Sequence, residues 1–397
     1  MLDSEGKAMT KPIAILLSIF ILVSVAIAAD AQSGAPQKIG FKILYNFTDG
    51  PDGCCLFGGV ARDREGNLYG VTESNNHDHG YGTLYKLTPT KRGYSIHVLV
   101  DFDESKGTYC EGTPVVDDSG NVFGTCSRGG PDWGTLWEYS SGGKFQVLFH
   151  FSEYPGNLTL DQRGNIYGTS GGVYQGAGTL WKYAPRSHWM RVVHSFNYKT
   201  DGMDPGNPTI DHNGILWGTT MYGPNCWQCG QGTAWKYDPS SGTFTTVATF
   251  QGTGISNPVT RPAIDKNGNL FGTAWPTDGS NLGTIYELQA DDSYAPLLLY
   301  TFTDQQNGSQ PLTDLSFDKD GNLIGTTYLG GEYGDGTIYE LAYKDGVWQE
   351  TVLHSFDWTD GASPNGLVTD NKCKWFSTTT YGGKHGWGEV FEVTSLP

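Results

Sequence analysis

Four residues of this 397-residue chain have the types and the spacing to hold a metal or move a proton. His77, Asp78 and His79 are consecutive in "ESNNHDHGY", and His385 lies in "YGGKHGW" near the C-terminus. Two imidazoles with a third imidazole or a carboxylate make a zinc site or an acid–base set, provided the two segments meet in space. A second set is aromatic. Trp133, Trp227, Trp387, Tyr333 and Tyr381 stand in Gly-rich segments, where flat rings suit the apolar faces of sugars. The third set is sulfur: Cys54, Cys55, Cys110, Cys126, Cys226, Cys229 and Cys373. Cys226-Trp-Gln-Cys229 has zinc-knuckle spacing, but no second CxxC and no HxxxH accompanies it. A local disulfide is the expectation there rather than a metal. The odd count leaves one cysteine over, or joined to another chain. No GxSxG elbow, no phosphate-binding Gly loop and no nucleophile with a base at a defined spacing is present.

What positions these residues is a repeat. The phrase D-x-x-G-N-L-Y-G recurs with its Asp at 63, 117, 161, 211, 265, 318 and 370. Before each anchor a short apolar run ends in Phe, at Phe47, Phe102, Phe151, Phe196, Phe250, Phe302 and Phe356. After each anchor Gly-Thr opens another run, at Gly82, Gly134, Gly178, Gly232, Gly283 and Gly336; the last copy reads Gly388-Glu389 instead. Each copy thus spells four short strands rich in β-branched and aromatic residues and bounded by Gly, Asp and Asn. The Asp-x-x-Gly segment reads as a tight hairpin turn. "DKDGN" at Asp318 resembles a calcium loop only faintly, since the spaced ligands and distal Glu are missing. The glycines in the third strand (Gly70, Gly124, Gly168, Gly218, Gly272 and Gly325) point to close approach of another group.

Four-stranded units of about 50 residues predict an all-β, seven-bladed β-propeller, because no single unit can bury both of its faces alone. The chain begins with the outermost type of strand and ends with the fourth-type strand, Glu389 to Val393. Ile43–Phe47 is therefore expected to pair with Val390–Val393 and close the last blade. Closure makes blades 1 and 7 neighbours and lets His77, Asp78, His79 and His385 converge. The loops after the strands that carry Gly-Thr-Thr vary in length, and they carry the aromatics. Binding is expected on that face, since variable loops on a rigid scaffold are where recognition residues sit. His150, His194 and His354 recur beside the strand-ending Phe and read as structural. "TDG" at Asp49, Asp201 and Asp360 reads as a turn first. Cys110 and Cys126 are expected to pair across two antiparallel strands with Cα atoms about 6 Å apart; Cys54 or Cys55 is the competing partner.

Lys7 and Lys11 precede the apolar run Ile13 to Ala29, followed by the small-residue sites Ala26-Ile27-Ala28 and Ala29-Asp30-Ala31. That order predicts a secretory signal over 1–31, a short linker over 32–41 and one propeller over 42–397. The expected location is secreted or cell-envelope, with membrane attachment only if the signal stays uncleaved. The net charge of −17 repels nucleic acid. Calcium or zinc is admitted by the residues above, but no cofactor is required.

The consensus pattern "GNLYGTT…GG…GTLYKL" after "VLHSF" and "TDG" resembles the GloVer (Gloeo/Verruco) tandem repeat of exported bacterial proteins, and the match covers all seven units, about residues 42–393. The resemblance implies export, often with a surface anchor, and no established reaction or catalytic motif. "KWFSTTTYGG", Lys374 to Gly383, is more weakly similar to lactonase and streptogramin-lyase propellers. The functional expectation is a non-catalytic binding or surface-interaction module, with an extracellular saccharide or surface protein as partner. The alternative is a propeller hydrolase or lyase acting through a metal or His on the loop face.

Overall fold

The computed structural model describes residues 39–75, 80–130, 133–171, 176–225, 231–258, 260–275, 279, 281–370 and 374–395. The expected signal segment, His77–His79, Trp227, Cys226, Cys229 and Cys373 lie outside them. Seven antiparallel sheets follow one another along the chain, each with four strands in the main path. Blade 2 is typical: Val115–Val116 innermost, then Val122–Cys126, Gly134–Tyr139 and Phe145–Phe151. Ring closure is as expected. Ile39–Asn46 pairs with Glu389–Ser395, with Ile43 opposite Phe391 and Asn46 opposite Glu389. Phe47 N donates to Gly388 O at 3.0 Å.

The repeated phrase has a separate physical use for each letter. The anchor Asp folds its own turn. Asp161 Oδ1 accepts from the amides of Arg163 and Asn165, and Oδ2 accepts from Asn165 Nδ2 at 2.6 Å. The pattern returns at Asp63, Asp117, Asp265 and Asp318. Both oxygens are thereby engaged by the turn itself, at Asp318 as elsewhere. The strand-three glycine makes room for a ring. A Cβ on Gly124, Gly168 or Gly218 would lie 2.1–2.3 Å from Trp137, Trp181 or Trp235. Those tryptophans are fully buried. In blade 7 Ser377 stands there instead, opposite Phe391.

The first Thr of Gly-Thr-Thr ties blade to blade. Thr125, Thr169, Thr219, Thr273, Thr326 and Thr378 donate to the carbonyls of Gly156, Gly206, Pro258, Thr313, Asn365 and Gly58, each in the next blade. Blade 1 has Val71 at this place. Its junction with blade 2 uses Gly59 N donating to Thr113 Oγ1 at 2.9 Å. The second Thr pairs within the blade, as in Thr72 with Thr83, Thr220 with Thr233 and Thr327 with Thr337. Apolar cores then form between neighbouring blades. Tyr167, Leu180 and Phe196 of blade 3, for example, pack with Leu216, Trp235 and Tyr237 of blade 4.

Cys110 and Cys126 form a disulfide with Cα atoms 3.9 Å apart. The separation is shorter than the roughly 6 Å expected, and the two residues lie in register two steps from the bridge that pairs Thr108 with Arg128.

Candidate functional site

The two ends of the ring differ. One end carries the Asp-x-x-Gly turns. The other carries the loops after strand three and the segments linking one blade to the next, and here the exposed rings collect. Trp133 is 42% exposed and meets Tyr154, 38% exposed, edge to face with centroids 5.6 Å apart. Tyr333 is 58% exposed. It lines an open recess with Gln306, Asn307, Glu332 and His354. Tyr381 is half-buried, its ring edge-on to Phe57 at 6.2 Å. Trp387 differs from the others: it is half-buried and packs on the core that contains Leu56, Leu68 and Val390.

His385 is exposed, but the partners expected for it at His77–His79 lie outside the described residues. Among the described residues no group of three His, Cys, Asp or Glu side chains is placed to hold a metal. The recurring histidines have structural surroundings. His194 stacks on Phe244 with centroids 3.6 Å apart, and its Nε2 is 3.0 Å from Asp201 Oδ2. His354 stacks on Phe41 at 4.3 Å, and its Nε2 is 2.9 Å from Asp360 Oδ2. The aspartates of two "TDG" turns thus orient imidazoles on outer strands.

A set of residues that the motifs do not mark lines the central opening. Each stands four positions before its anchor Asp: Gly59, Thr113, Asn157, Asn207, Arg261, Asp314 and Gly366. Their contacts run from blade to blade. Asn157 N donates to Asn207 Oδ1 at 2.8 Å, and Arg261 N donates to Asp314 Oδ1 at 2.9 Å. Arg261 Nη2 reaches past blade 4 to the Leu158 carbonyl of blade 3, at 2.9 Å. On the loop side of this ring lies a recess of about 360 Å³. Phe57, Glu111, Ser127, Pro155, Asn157 and Asn207 line it. Partial desolvation by the surrounding loops raises the pKa of Glu111, and the Arg128 charge opposes the shift. Pro155 on the wall of the recess directly follows Tyr154 in the chain. The spacing that could have found these residues is a fixed offset from a repeated anchor.

Several solved structures share the architecture. Virginiamycin B lyase from Staphylococcus aureus aligns over 90% of this chain and 99% of its own, at 13% identity and a TM-score of 0.57. An oligogalacturonate lyase in complex with manganese aligns over 90% and 97%, at 13% identity and a TM-score of 0.57. PorZ, a surface component of the type-IX secretion system of Porphyromonas gingivalis, aligns over 88% of this chain and 48% of its own, at 14% identity and a TM-score of 0.55. At such identities the likeness is one of fold. No protein with a curated description matches the sequence. The Gloeobacter/Verrucomicrobia repeat model matches residues 33–230 and 225–396, a span that takes in all seven blades, and the chain belongs to that repeat family.

Proposed function

We propose that the protein is a non-catalytic binding propeller whose loop face takes up a saccharide at the exposed rings of blades 2 and 3. The observation that carries this is the exposed Trp133–Tyr154 pair, one residue along the chain from the Pro155 wall of the recess at Phe57, Glu111, Asn157 and Asn207. Sugars present a flat C–H face and a rim of hydroxyls. Flat rings meet the first, and amides and a carboxylate meet the second. The Asn157 side chain and Asn207 Nδ2 have no hydrogen-bond partner among the described residues, which leaves them to a ligand. The opposite end offers less, because its aspartates are engaged by their own turns. Placement outside the cytoplasm fits this reading, and some propellers of similar fold are bacterial surface components.

A polysaccharide array probed with the purified protein tests the reading, followed by Trp133→Ala on whatever is retained. Truncating a stacking ring costs about 2 kcal/mol of binding, roughly 30-fold in affinity. Retention by the wild type, lost in the variant at an unchanged melting temperature, is the expected result. No retained glycan, or equal retention by both proteins, refutes the proposal. Turnover of a retained glycan assigns the face to a lyase or hydrolase instead.

A further inference from the structure

Cys54 and Cys55 are adjacent in sequence, and their sulfur atoms lie 3.0 Å apart. That is closer than the roughly 3.5–4.0 Å at which even carbon atoms rest in contact. The backbone prepares the approach. Cys55 takes a left-handed conformation, with φ at 60°. In blades 2, 5, 6 and 7 the corresponding link uses Tyr109, Asn257, Gln310 and Ser363, also at positive φ. The bend therefore belongs to the scaffold, and only blade 1 places two thiols on it. The segment is held at both ends: Cys54 N donates to Ser74 O at 2.9 Å, and Glu73 N donates to Cys55 O at 3.1 Å. Neither cysteine is part of the Cys110–Cys126 bridge.

We propose that Cys54 and Cys55 are a redox-active vicinal dithiol, closed to an intraresidue-pair disulfide by exchange with a small-molecule or protein disulfide. Cys55 is partly exposed and Cys54 is fully buried. The Cys55 thiolate therefore attacks first. It bonds to one sulfur of the incoming disulfide and expels the other as a thiolate. Cys54, having lost its proton to solvent, then attacks Cys55 Sγ and expels the second thiolate. The two cysteines lose two electrons and two protons, and the incoming disulfide is reduced to two thiols. Closure needs the sulfurs to move about 1 Å, from contact to the roughly 2.05 Å of a bond.

The location gives the chemistry a consequence. Phe57, which lines the axial recess, is two residues beyond Cys55. Tyr381 meets Phe57 edge to face. The oxidised ring adds a covalent constraint to the chain just before Phe57, which the dithiol form holds by backbone hydrogen bonds alone. The dithiol is independent of what the recess binds. It also accounts for two of the cysteines that the Cys110–Cys126 bridge leaves over.

Peptide mapping of the native full chain tests this. Trypsin releases Ile43–Arg62, which contains Cys54 and Cys55 and no other cysteine. The protein is incubated with oxidised glutathione, alkylated without reductant and digested. The expected peptide carries no alkyl group and is lighter than the dithiol by two hydrogens. After reduction by a dithiol it takes up two alkyl groups. Two alkyl groups without reductant, or a link to another peptide, overturns the proposal. As a second readout, Cys54→Ser is expected to retain glutathione on Cys55 as a stable mixed disulfide, whereas the wild type releases it. Equal glutathione retention by both proteins also overturns the proposal.

Discussion

Glu389 stands where six sister blades have threonine. It opens its strand in place of Thr83, Thr135, Thr179, Thr233, Thr284 and Thr337. In three of those blades the hydroxyl donates to a carbonyl of the loop alongside: Thr83 to Asp52, Thr135 to Lys106 and Thr233 to Asp201. Glu389 is fully buried, and neither carboxylate oxygen has a hydrogen-bond partner among the described residues. An ionised carboxylate has no proton to donate, whereas the neutral acid does. Burial first, and the Asp360 charge second, push its pKa up to about 8. The consequence is a pH-dependent stability. Below the ordinary value of 4.5 both states are protonated. Between 4.5 and about 8 the folded chain keeps a proton that the unfolded chain has lost, so stability falls as pH rises. Above about 8 the loss is complete.

The slope is roughly 1.4 kcal/mol per pH unit, so the window accumulates about 5 kcal/mol. At about 2.1 cal/mol/K of unfolding entropy per residue, the propeller's melting temperature would move by about 6 °C. Glu389→Gln removes the charge and keeps the shape. Any change in packing or hydrogen bonding gives an offset that does not vary with pH. Calorimetry of both proteins from about pH 5 to about pH 9 reads the difference between them. The variant should gain on the wild type by about 5 °C across that range, roughly 3 pH units of the window at about 1.4 kcal/mol each. Glu350, held by burial at about 7, titrates in both proteins and cancels in the difference. A difference that stays flat with pH would mean that Glu389 is charged in the fold, and the argument from its burial would fail.

Three further outcomes follow from the packing. Trp387→Ala removes a ring seated on the core of blades 7 and 1; it should cost about 2 kcal/mol or more of stability in denaturant unfolding. Trp133→Ala should stay within roughly 0.5 kcal/mol of wild type, as exposed positions do. Thr219→Val keeps the shape of a buried side chain but leaves the Pro258 carbonyl, now 2.6 Å from the hydroxyl, without its donor. A loss of about 1–3 kcal/mol is expected by the same measurement, and an unchanged midpoint would show that the blade-to-blade bond carries no stability.

The architecture was legible because its determinants are local and repeated. An Asp whose carboxylate bonds two and four residues ahead leaves a local trace, Asp-x-x-Gly in six of the seven copies and Asp-x-x-Gly-Asn in five. A glycine roofed by a ring leaves a trace as well, since glycine is otherwise unfavourable within a strand. The threonines were visible as letters, but their use was not. The acceptor of Thr378 is Gly58, 320 residues away, and no pattern in one copy reveals a partner in the next. Glu389 was visible as the one departure from Gly-Thr; its burial was not, because it depends on Asn46 of the closing strand standing opposite. Trp133 and Trp387 read alike as loop tryptophans. They part company because the loop bearing Trp387 folds back through a bridge between Gly382 and Trp387 onto the core.

The residues four before each anchor show why a sevenfold scaffold need not have sevenfold function. A ring of identical residues would offer seven equal sites around the axis. Here the series runs Gly, Thr, Asn, Asn, Arg, Asp, Gly. Arg261 and Asp314 consume each other's polarity on one side, through a backbone hydrogen bond and a side-chain approach of 3.7 Å. Gly59 and Gly366 sit where strands press together: a Cβ on Gly59 would lie 2.7 Å from the Gly366 carbonyl. The arc from blade 2 to blade 4 keeps polar side chains at a recess, with Asn157 and Asn207 beside Glu111. The exposed Trp133–Tyr154 pair borders the same arc. On the proposed reading, recognition is confined to this sector, and a saccharide bound there would be gripped at one edge, by rings on its flat side and amides on its rim, with its other edge open to solvent.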